Sequence, residues 1–340
     1  MKTDRPPCQS ILVYVGLDLV GDGLMKLPFL RALRRAYPTA SITWLAGKGK
    51  TVYASKLAPL VTGLLDEVIE DADIGSRWRQ LFARPLKGRS FDLIIDTQRR
   101  VLTTLILRRI AHKVFVSGAA NYLFSDRQPF IKREKKPAAM IRQMLDLVEA
   151  ASGASADSSG ALDLAMDARD AALADLPEPG KGAGYIALAP GAGGEHKRWP
   201  LENFITLAKL MAEKGHIPVF FLGPDEADWR PALGAALPQA LFPLQDNKVY
   251  GIAPDFTIAV AERCHAGVAG DCGIGHMLAA ADIPLISLFG PTPPEKFSPC
   301  TRRLTILKAQ DYEAGRGGEE MAMIPVEAVE KALETALSEA

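Results

Sequence analysis

Short apolar runs of strand type alternate along the chain with segments whose apolar residues recur at helical spacing. ILVYV at 11–15 precedes the segment 23–38, in which a leucine recurs at every third position. SITWLAG at 41–47 and FDLIIDT at 91–97 repeat the strand pattern. Strands that alternate with helices favour a parallel sheet covered by helices on both faces. The alternation therefore predicts an α/β fold of the doubly wound, Rossmann-like type.

A small, polar stretch, ASGASADSSG at 151–160, interrupts this alternation, which resumes with YIALAP near 185. The chain has 340 residues, enough for two domains of about 150 residues each. We predict two Rossmann-like domains, 1–165 and 166–324, and a terminal amphipathic helix over 325–340 that packs back on the first domain. Open α/β sheets bind ligands at the carboxyl ends of their strands, so the site is expected in the cleft between the domains.

The charge balance argues against a general attraction to nucleic acid. Forty basic residues balance forty acidic ones, so any attraction to anions must be local. The four cysteines lack C-x-x-C spacing and the five histidines include no H-E-x-x-H pair, so neither a zinc site nor a disulfide framework is indicated. Neither a signal peptide nor an apolar stretch of about 18 residues is found. We therefore expect a cytoplasmic protein without a transmembrane segment.

The decapeptide GAGGEHKRWP at 191–200 directly follows the strand-like run YIALAP. Its three glycines permit tight backbone geometry, and Pro200 suits the first position of a helix. Lys197 and Arg198 add positive charge, and a helix start and cations both attract phosphate. The segment indicates an anion-binding loop. An ordinary strand-to-helix loop with two solvated bases is the alternative that these residues leave open.

Two further loops carry a carboxylate at a predicted helix start. Asp22 in GDGLM precedes the first long helix, where it is either an N-cap or a general base. Asp271 and His276 lie in GDCGIGHM between two strand-like runs. As an isolated glycine pattern this segment is a weak signal, and a capping aspartate with a satisfied core histidine is the structural alternative.

The order and separation of these three loops resemble glycosyltransferase family 9, the bacterial ADP-heptose:lipopolysaccharide heptosyltransferases. The resemblance covers most of the chain, and FDLIIDTQ adds a match of moderate specificity. It is strongest in ILVYVGLDLVGDGLMKLPFLRALRRAYPTASITWL, LAPGAGGEHKRWPLENFITLAKLM and GDCGIGHMLAAADIPLISLFGPT. It implies the GT-B architecture, in which two Rossmann-like domains face a central cleft and the C-terminal domain holds a nucleotide-sugar donor.

The resemblance also implies roles for individual residues. Asp22 corresponds to the family's catalytic base, and Lys197 corresponds to its donor-phosphate lysine. The implied donor-binding residues are Gly193, Gly194, Lys197, Asp271, Cys272, Gly273 and His276. No cofactor and no metal are implied.

Two basic stretches, 99–113 and 127–136, fit an anionic glycolipid acceptor at the inner membrane. Solvated helix faces are the alternative explanation. The candidate acceptor-binding residues are Arg99, Arg100, Lys132 and Arg133. The protein is accordingly expected at the cytoplasmic face of the inner membrane, attached peripherally.

The sequence also departs from the family. The first loop reads VGLDLVGD, with Gly16 and Asp18 in a loop where the family commonly carries a basic residue and serines. Cys272 replaces a hydroxyl residue, and Arg99 and Arg100 stand where Gly-Leu is frequent. These departures affect the substrate more than the fold.

The complete pattern predicts an inverting, metal-independent transfer of a sugar, heptose, from ADP-heptose to a lipopolysaccharide-core or related saccharide. One alternative is a family 9-like transferase with another sugar or acceptor, and a second is a non-catalytic descendant that only binds a nucleotide sugar. A nicotinamide-dependent oxidoreductase needs G-x-G-x-x-G after the first strand, and VGLDLVGDG does not supply that spacing.

Overall fold

The computed structural model describes residues 8–18, 20–129, 136–157, 162–180, 182–312 and 320–339. The chain divides into two compact units, Met1–Ser158 and Ser159–Ala340, so the division lies seven residues before the predicted one after residue 165. Within the described ranges, the helices are too short or too polar to span a bilayer.

The first unit is a five-stranded parallel sheet with helices packed against it, in the strand order β3-β2-β1-β4-β5. Buried apolar residues predominate in its strands because both faces of a parallel sheet are covered. The elements are β1 (Ser10–Val15), α1 (Val20–Ala36), β2 (Ser41–Ala46), β3 (Glu67–Ile69), β4 (Ser90–Asp96), α2 (Val101–Leu107), β5 (Ala111–Ser117) and α3 (Met140–Ser152).

Helix α1 packs its leucine stripe into the core, as the periodicity predicts. The buried members of the stripe are Leu24, Leu27, Leu30 and Leu33. Gly23 lies where the helix meets the segment after β2, and a β-carbon there would stand 2.6 Å from Leu57 Cδ1 and 2.6 Å from Val52 Cγ2. Only glycine therefore permits this close approach.

The second unit repeats the architecture with the strand order β10-β9-β8-β6-β7, and all of its strand pairs are parallel. Its elements are α4 (Met166–Asp175), β6 (Tyr185–Ala189), α5 (Leu201–Glu213), β7 (Ile217–Phe220), α6 (Arg230–Ala236), α7 (Pro243–Asp246), α8 (Pro254–Glu262), β8 (Ala266–Gly270), α9 (Gly273–Ala280), β9 (Leu285–Phe289), α10 (Pro294–Phe297), β10 (Leu304–Lys308) and α11 (Val326–Ser338). The predicted α/β class with two Rossmann-like sheets is confirmed.

The terminal helix α11 buries its apolar face in the second unit, and its packing on the first domain stays a prediction. Val329 and Leu333 are 0% exposed and belong to the core that surrounds β6, β8 and β9. The helix also contacts α5. Burial of two aliphatic side chains stabilises this attachment by about 3–6 kcal/mol at 1.5–3 kcal/mol each.

Candidate active site

Two of the predicted loops meet at one edge of the second unit's sheet. Because β6 and β8 are adjacent and parallel, the loops that follow them lie side by side. Lys197 Nζ donates a hydrogen bond to Asp271 Oδ2 at 3.1 Å, and both side chains are largely buried. The structure therefore joins the basic loop to the aspartate loop.

Neither packing nor backbone conformation requires glycine at several positions of these loops. A β-carbon at Gly193 or Gly273 would meet no atom within 4 Å, so packing does not require glycine at either position. Gly194 has an extended backbone with φ 177°, which any residue adopts. The absence of side chains at 193 and 273 leaves the backbone of both loops open at these positions.

Helix α9 begins with a thiol cap. Cys272 is the N-cap residue, and its Sγ accepts a hydrogen bond from the Gly275 N–H at 3.4 Å. Burial raises the pKa of the Cys272 thiol to about 11, so at neutral pH it is uncharged and does not repel an anion. His276 lies half-buried in the first turn of this helix. The thiol thus fills the capping position that a serine or threonine hydroxyl usually occupies.

A buried carboxylate that the sequence analysis did not single out lies beside the basic loop. Glu226 is 4% exposed, and Arg198 Nη2 donates to its Oε1 at 3.1 Å. A β-carbon at Gly191 or Gly223 would stand 2.7 Å from this carboxylate, so both glycines make room for it. Burial raises the pKa of Glu226, and Arg198 opposes that rise.

Glu226 follows β7, the other neighbour of β6, so it belongs to the same sheet edge as Lys197 and Asp271. Arg198 also lies over the Trp229 ring, with its Cζ 5.3 Å from the ring centroid. The sequence feature that could have revealed Glu226 is the segment Gly-Pro-Asp-Glu at 223–226, which directly follows the strand-like run IPVFFL. The helix α5 begins at Leu201 with Pro200 as its N-cap, one residue later than predicted.

In the first unit, Asp22 lies in the first turn of α1, which begins at Val20. It is therefore not the N-cap that the structural alternative required. A carboxylate in the first turn still interacts favourably with the helix dipole. Asp22 is half-buried at the carboxyl-terminal edge of β1, the edge where open sheets bind ligands.

Two buried charges, absent from the predicted site, lie beside Asp22. Asp18 is 2% exposed and Lys26 is 7% exposed, and Thr51 Oγ1 donates to Asp18 Oδ2 at 3.0 Å. Burial lowers the pKa of Lys26, and the negative charges of Asp18 and Asp22 oppose that fall. Burial likewise raises the pKa of Asp18, and Lys26 opposes the rise. The sequence feature that could have revealed the buried Lys26 is its position between Leu24 and Leu27 on the apolar face of α1.

Asp96 anchors the loop that follows β4. It is 0% exposed, and its carboxylate accepts hydrogen bonds from Thr104 Oγ1 at 2.6 Å, Ser117 Oγ at 2.9 Å and the Gln98 N–H at 2.8 Å. Burial raises its pKa, and these three donors lower it. The Gln98 side chain lies against Gly16, where a β-carbon would stand 3.0 Å from Gln98 Oε1.

Two of the four candidate acceptor residues lie at this carboxyl-terminal edge. Arg99 Nη1 donates to the Gly118 carbonyl at 3.3 Å, and Arg100 is the exposed N-cap residue of α2. Lys132 and Arg133 lie outside the described residues. In the described ranges, no group of three or more His, Cys, Asp or Glu side chains is placed to hold a metal ion.

Sequence comparisons match most of the chain to one family. The profile of glycosyltransferase family 9 (heptosyltransferase) matches residues 79–322. The chain is 28% identical over 298 residues to lipopolysaccharide heptosyltransferase 1 of Pseudomonas aeruginosa, which covers 83% of this chain and 79% of that protein. It is 24% identical over 304 residues to lipopolysaccharide heptosyltransferase 1 of Escherichia coli K12, covering 83% and 88%.

Solved structures share the fold at low identity. A family 9 glycosyltransferase from Veillonella parvula has a TM-score of 0.70 at 20% identity, covering 98% of both chains. An E. coli heptosyltransferase crystallised with ADP has a TM-score of 0.65 at 21% identity, covering 96% of this chain and 100% of that one. The expected GT-B fold is confirmed. Since the profile covers more than half of the chain, this protein belongs to glycosyltransferase family 9, the heptosyltransferases.

Proposed function

We propose that this enzyme transfers heptose from ADP-heptose to a lipopolysaccharide-core or related saccharide, with inversion at the anomeric carbon. The observation that carries the proposal is the Lys197–Asp271 hydrogen bond, which brings two strand-to-helix loops together beside the start of α9. The curated relatives are lipopolysaccharide heptosyltransferases, and one solved relative was crystallised with ADP. Both findings support a nucleoside diphosphate as the leaving group.

The donor diphosphate binds to the edge formed by Lys197 and the start of α9. The ammonium group and the free N–H groups of the helix start stabilise the negative charge that develops on the departing diphosphate. Gly193 and Gly273 let the phosphates approach the backbone. Glu226 supplies a carboxylate acceptor at the same edge, and a ribose hydroxyl is a donor of matching chemistry.

Asp22 removes the proton from the attacking acceptor hydroxyl. The anomeric carbon is attacked on the face opposite the leaving group, through a transition state with oxocarbenium character. A positioned general base contributes a factor of about 10²–10⁴ in rate. Lys26 places a positive charge beside this carboxylate, which helps to keep it at a defined position.

The acceptor is an anionic glycolipid, and Arg99, Arg100, Lys132 and Arg133 are its candidate partners. Arg99 and Arg100 lie at the sheet edge that carries Asp22, and inner-core saccharides carry carboxylates and phosphates. The enzyme therefore works at the cytoplasmic face of the membrane, where exposed basic residues contribute about 1 kcal/mol each.

Calorimetry with ADP tests the donor site. We expect Lys197→Ala to weaken ADP binding at least tenfold, because a charge-assisted contact to phosphate contributes about 1.5–3 kcal/mol. Lys209→Ala is the matched control, since Lys209 is an exposed lysine on α5 of the same unit. Equal ADP affinity in the wild type and Lys197→Ala, or no affinity for any nucleoside diphosphate, would refute the assignment. Mass spectrometry of the co-purified nucleotide sugar then identifies the sugar.

A further inference from the structure

A cavity lined by basic side chains lies in the first unit, at the edge of the sheet opposite Asp22. Its volume is about 700 Å³, and it is bounded by the loop 84–89 before β4 and by residues 108–112 at the start of β5. Strand β4 has 7 residues. At about 3.3 Å per residue, the amino-terminal and carboxyl-terminal edges of the sheet are roughly 20 Å apart. The cavity is therefore separate from the transfer site.

The loop 84–89, which forms one wall of the cavity, is attached to the core through the side chain of Leu86. Leu86 has a φ of 51°, a conformation that side chains disfavour, and its side chain packs against the core around Phe91. Gly88, with a φ of 81°, completes the turn. This anchoring leaves Arg84 and Lys87 exposed at the cavity.

The lining carries excess positive charge. It contains five Lys or Arg residues and no carboxylate, namely Arg84, Lys87, Arg89, Arg108 and Arg109. Glu67 pairs with Arg89, and Asp126 pairs with Arg108 at 3.0 Å. Among the described residues, no ion pair is found for Arg84, Lys87 or Arg109. Three uncompensated cations thus face one cavity in a chain whose formal net charge is +0.

We propose that this cavity is a binding site for a phosphate group. Phosphate carries up to two negative charges and accepts several hydrogen bonds, and the planar guanidinium groups of Arg84 and Arg109 match its geometry. A single carboxylate would leave two of the three cations unmatched. The phosphate belongs either to a soluble phosphorylated compound or to a lipid headgroup, since the chemistry is the same. The inference goes beyond the proposed function because neither the donor nor the acceptor is proposed to bind at this amino-terminal edge of the sheet.

The site is tested by titrating inorganic phosphate into the full chain by calorimetry, in the Lys197→Ala background that disables the proposed donor site. We expect Arg84→Gln/Arg109→Gln to weaken phosphate binding at least tenfold. Lys56→Gln/Lys136→Gln removes the same two charges from exposed lysines outside the cavity lining and should leave the affinity unchanged. If the double variant fails to fold, the single exposed substitution Lys87→Gln is tested in its place. We expect Lys87→Gln to weaken phosphate binding at least threefold. Absence of phosphate binding, or equal losses in cavity and control variants, would overturn the proposal.

Vesicle sedimentation identifies the source of the phosphate. Binding to phosphatidylglycerol vesicles that falls at least fivefold in Arg84→Gln/Arg109→Gln, but not in the control, identifies a lipid headgroup. Phosphate binding that depends on the cavity arginines without vesicle binding identifies a soluble compound. Both results support the site. Neither measurement depends on transfer activity, so the phosphate site and the proposed heptose transfer can be refuted independently.

Discussion

At the scale of single residues, the charges near Asp22 have unequal access to water. Lys26 and Asp18 are buried, whereas Asp22 is only half-buried. Burial of a charge without a partner is costly, so the two buried groups depend on each other and on Asp22. Of these three side chains, Asp22 is the most accessible to solvent.

We expect Asp22→Asn to lower the transfer rate by about 10²–10⁴, the contribution of a positioned general base. ADP affinity should stay close to that of the wild type, because the proposed donor residues belong to the second unit. The folded state should lose about 1 kcal/mol of stability, because the neutral asparagine no longer interacts with the helix dipole and with the charge of Lys26. Initial rates and ADP calorimetry measure the two effects. Transfer within a few-fold of the wild-type rate would show that Asp22 has only a structural role.

We expect Lys26→Met to lower the free energy of unfolding by about 1–3 kcal/mol, because it removes the positive charge that opposes the desolvation of the buried Asp18 carboxylate. The double variant Lys26→Met/Asp18→Asn should recover part of this loss, since it removes the unpaired charge. Urea unfolding of the wild type, both single variants and the double variant gives the coupling energy. A coupling energy near zero would mean that Asp18 and Lys26 do not stabilise each other.

At the scale of secondary-structure elements, the start of α9 depends on an unusual cap. The thiol of Cys272 is a weak hydrogen-bond acceptor, yet it occupies the capping position and accepts from the Gly275 N–H. The helix has only 8 residues, so its first turn is a large share of its hydrogen bonds.

A pair of substitutions separates the cap from the packing of the thiol. We expect Cys272→Ala to lower the free energy of unfolding by about 1 kcal/mol, because the cap is lost. Cys272→Ser should be more stable than Cys272→Ala, because a hydroxyl is a stronger cap of similar size. Urea unfolding of the three proteins measures the difference. If the serine variant is no more stable than the alanine variant, the capping role is wrong.

At the scale of the whole molecule, positive charge is distributed unevenly although the total is zero. The segment 77–113 contains ten Lys or Arg residues but only Asp92 and Asp96 as acids. Of these residues, Arg99 and Arg100 are the proposed acceptor partners, and we expect their attraction to an anionic acceptor to be screened by salt. This glycosyltransferase is thus expected to respond to ionic strength mainly through its acceptor.

We expect Arg100→Glu to raise the KM for a lipid-linked anionic acceptor at least fivefold without changing ADP binding. The KM of the wild type should also rise between 0.1 M and 1 M salt, as the Debye length falls from about 10 Å to 3 Å. Lys56→Glu, an equal charge reversal at another exposed position of the first unit, is the control. A KM that does not respond to salt, or efficient transfer to a neutral sugar, would leave Arg100 as a solvated helix cap.

The sequence alone determined the features whose signals lie in consecutive residues. Apolar runs and leucine spacing predicted both parallel sheets, because strand and helix periodicities are local. The glycine and lysine pattern of 191–200 predicted a loop between a strand and a helix for the same reason, and three matching segments indicated the family. The element boundaries were less certain, as the start of α5 at Leu201 shows.

Only the tertiary structure decided which of these segments meet. Lys197 and Asp271 are 74 positions apart, and they pair because β6 and β8 are neighbours in the sheet, an order that periodicity does not encode. Glu226 joins them because β7 is the other neighbour of β6. Strand order thus determines which side chains share an edge, and burial determines which of them need charged partners. For that reason the sequence indicated the loops of Lys197 and Asp271 but not the buried carboxylate of Glu226 beside them.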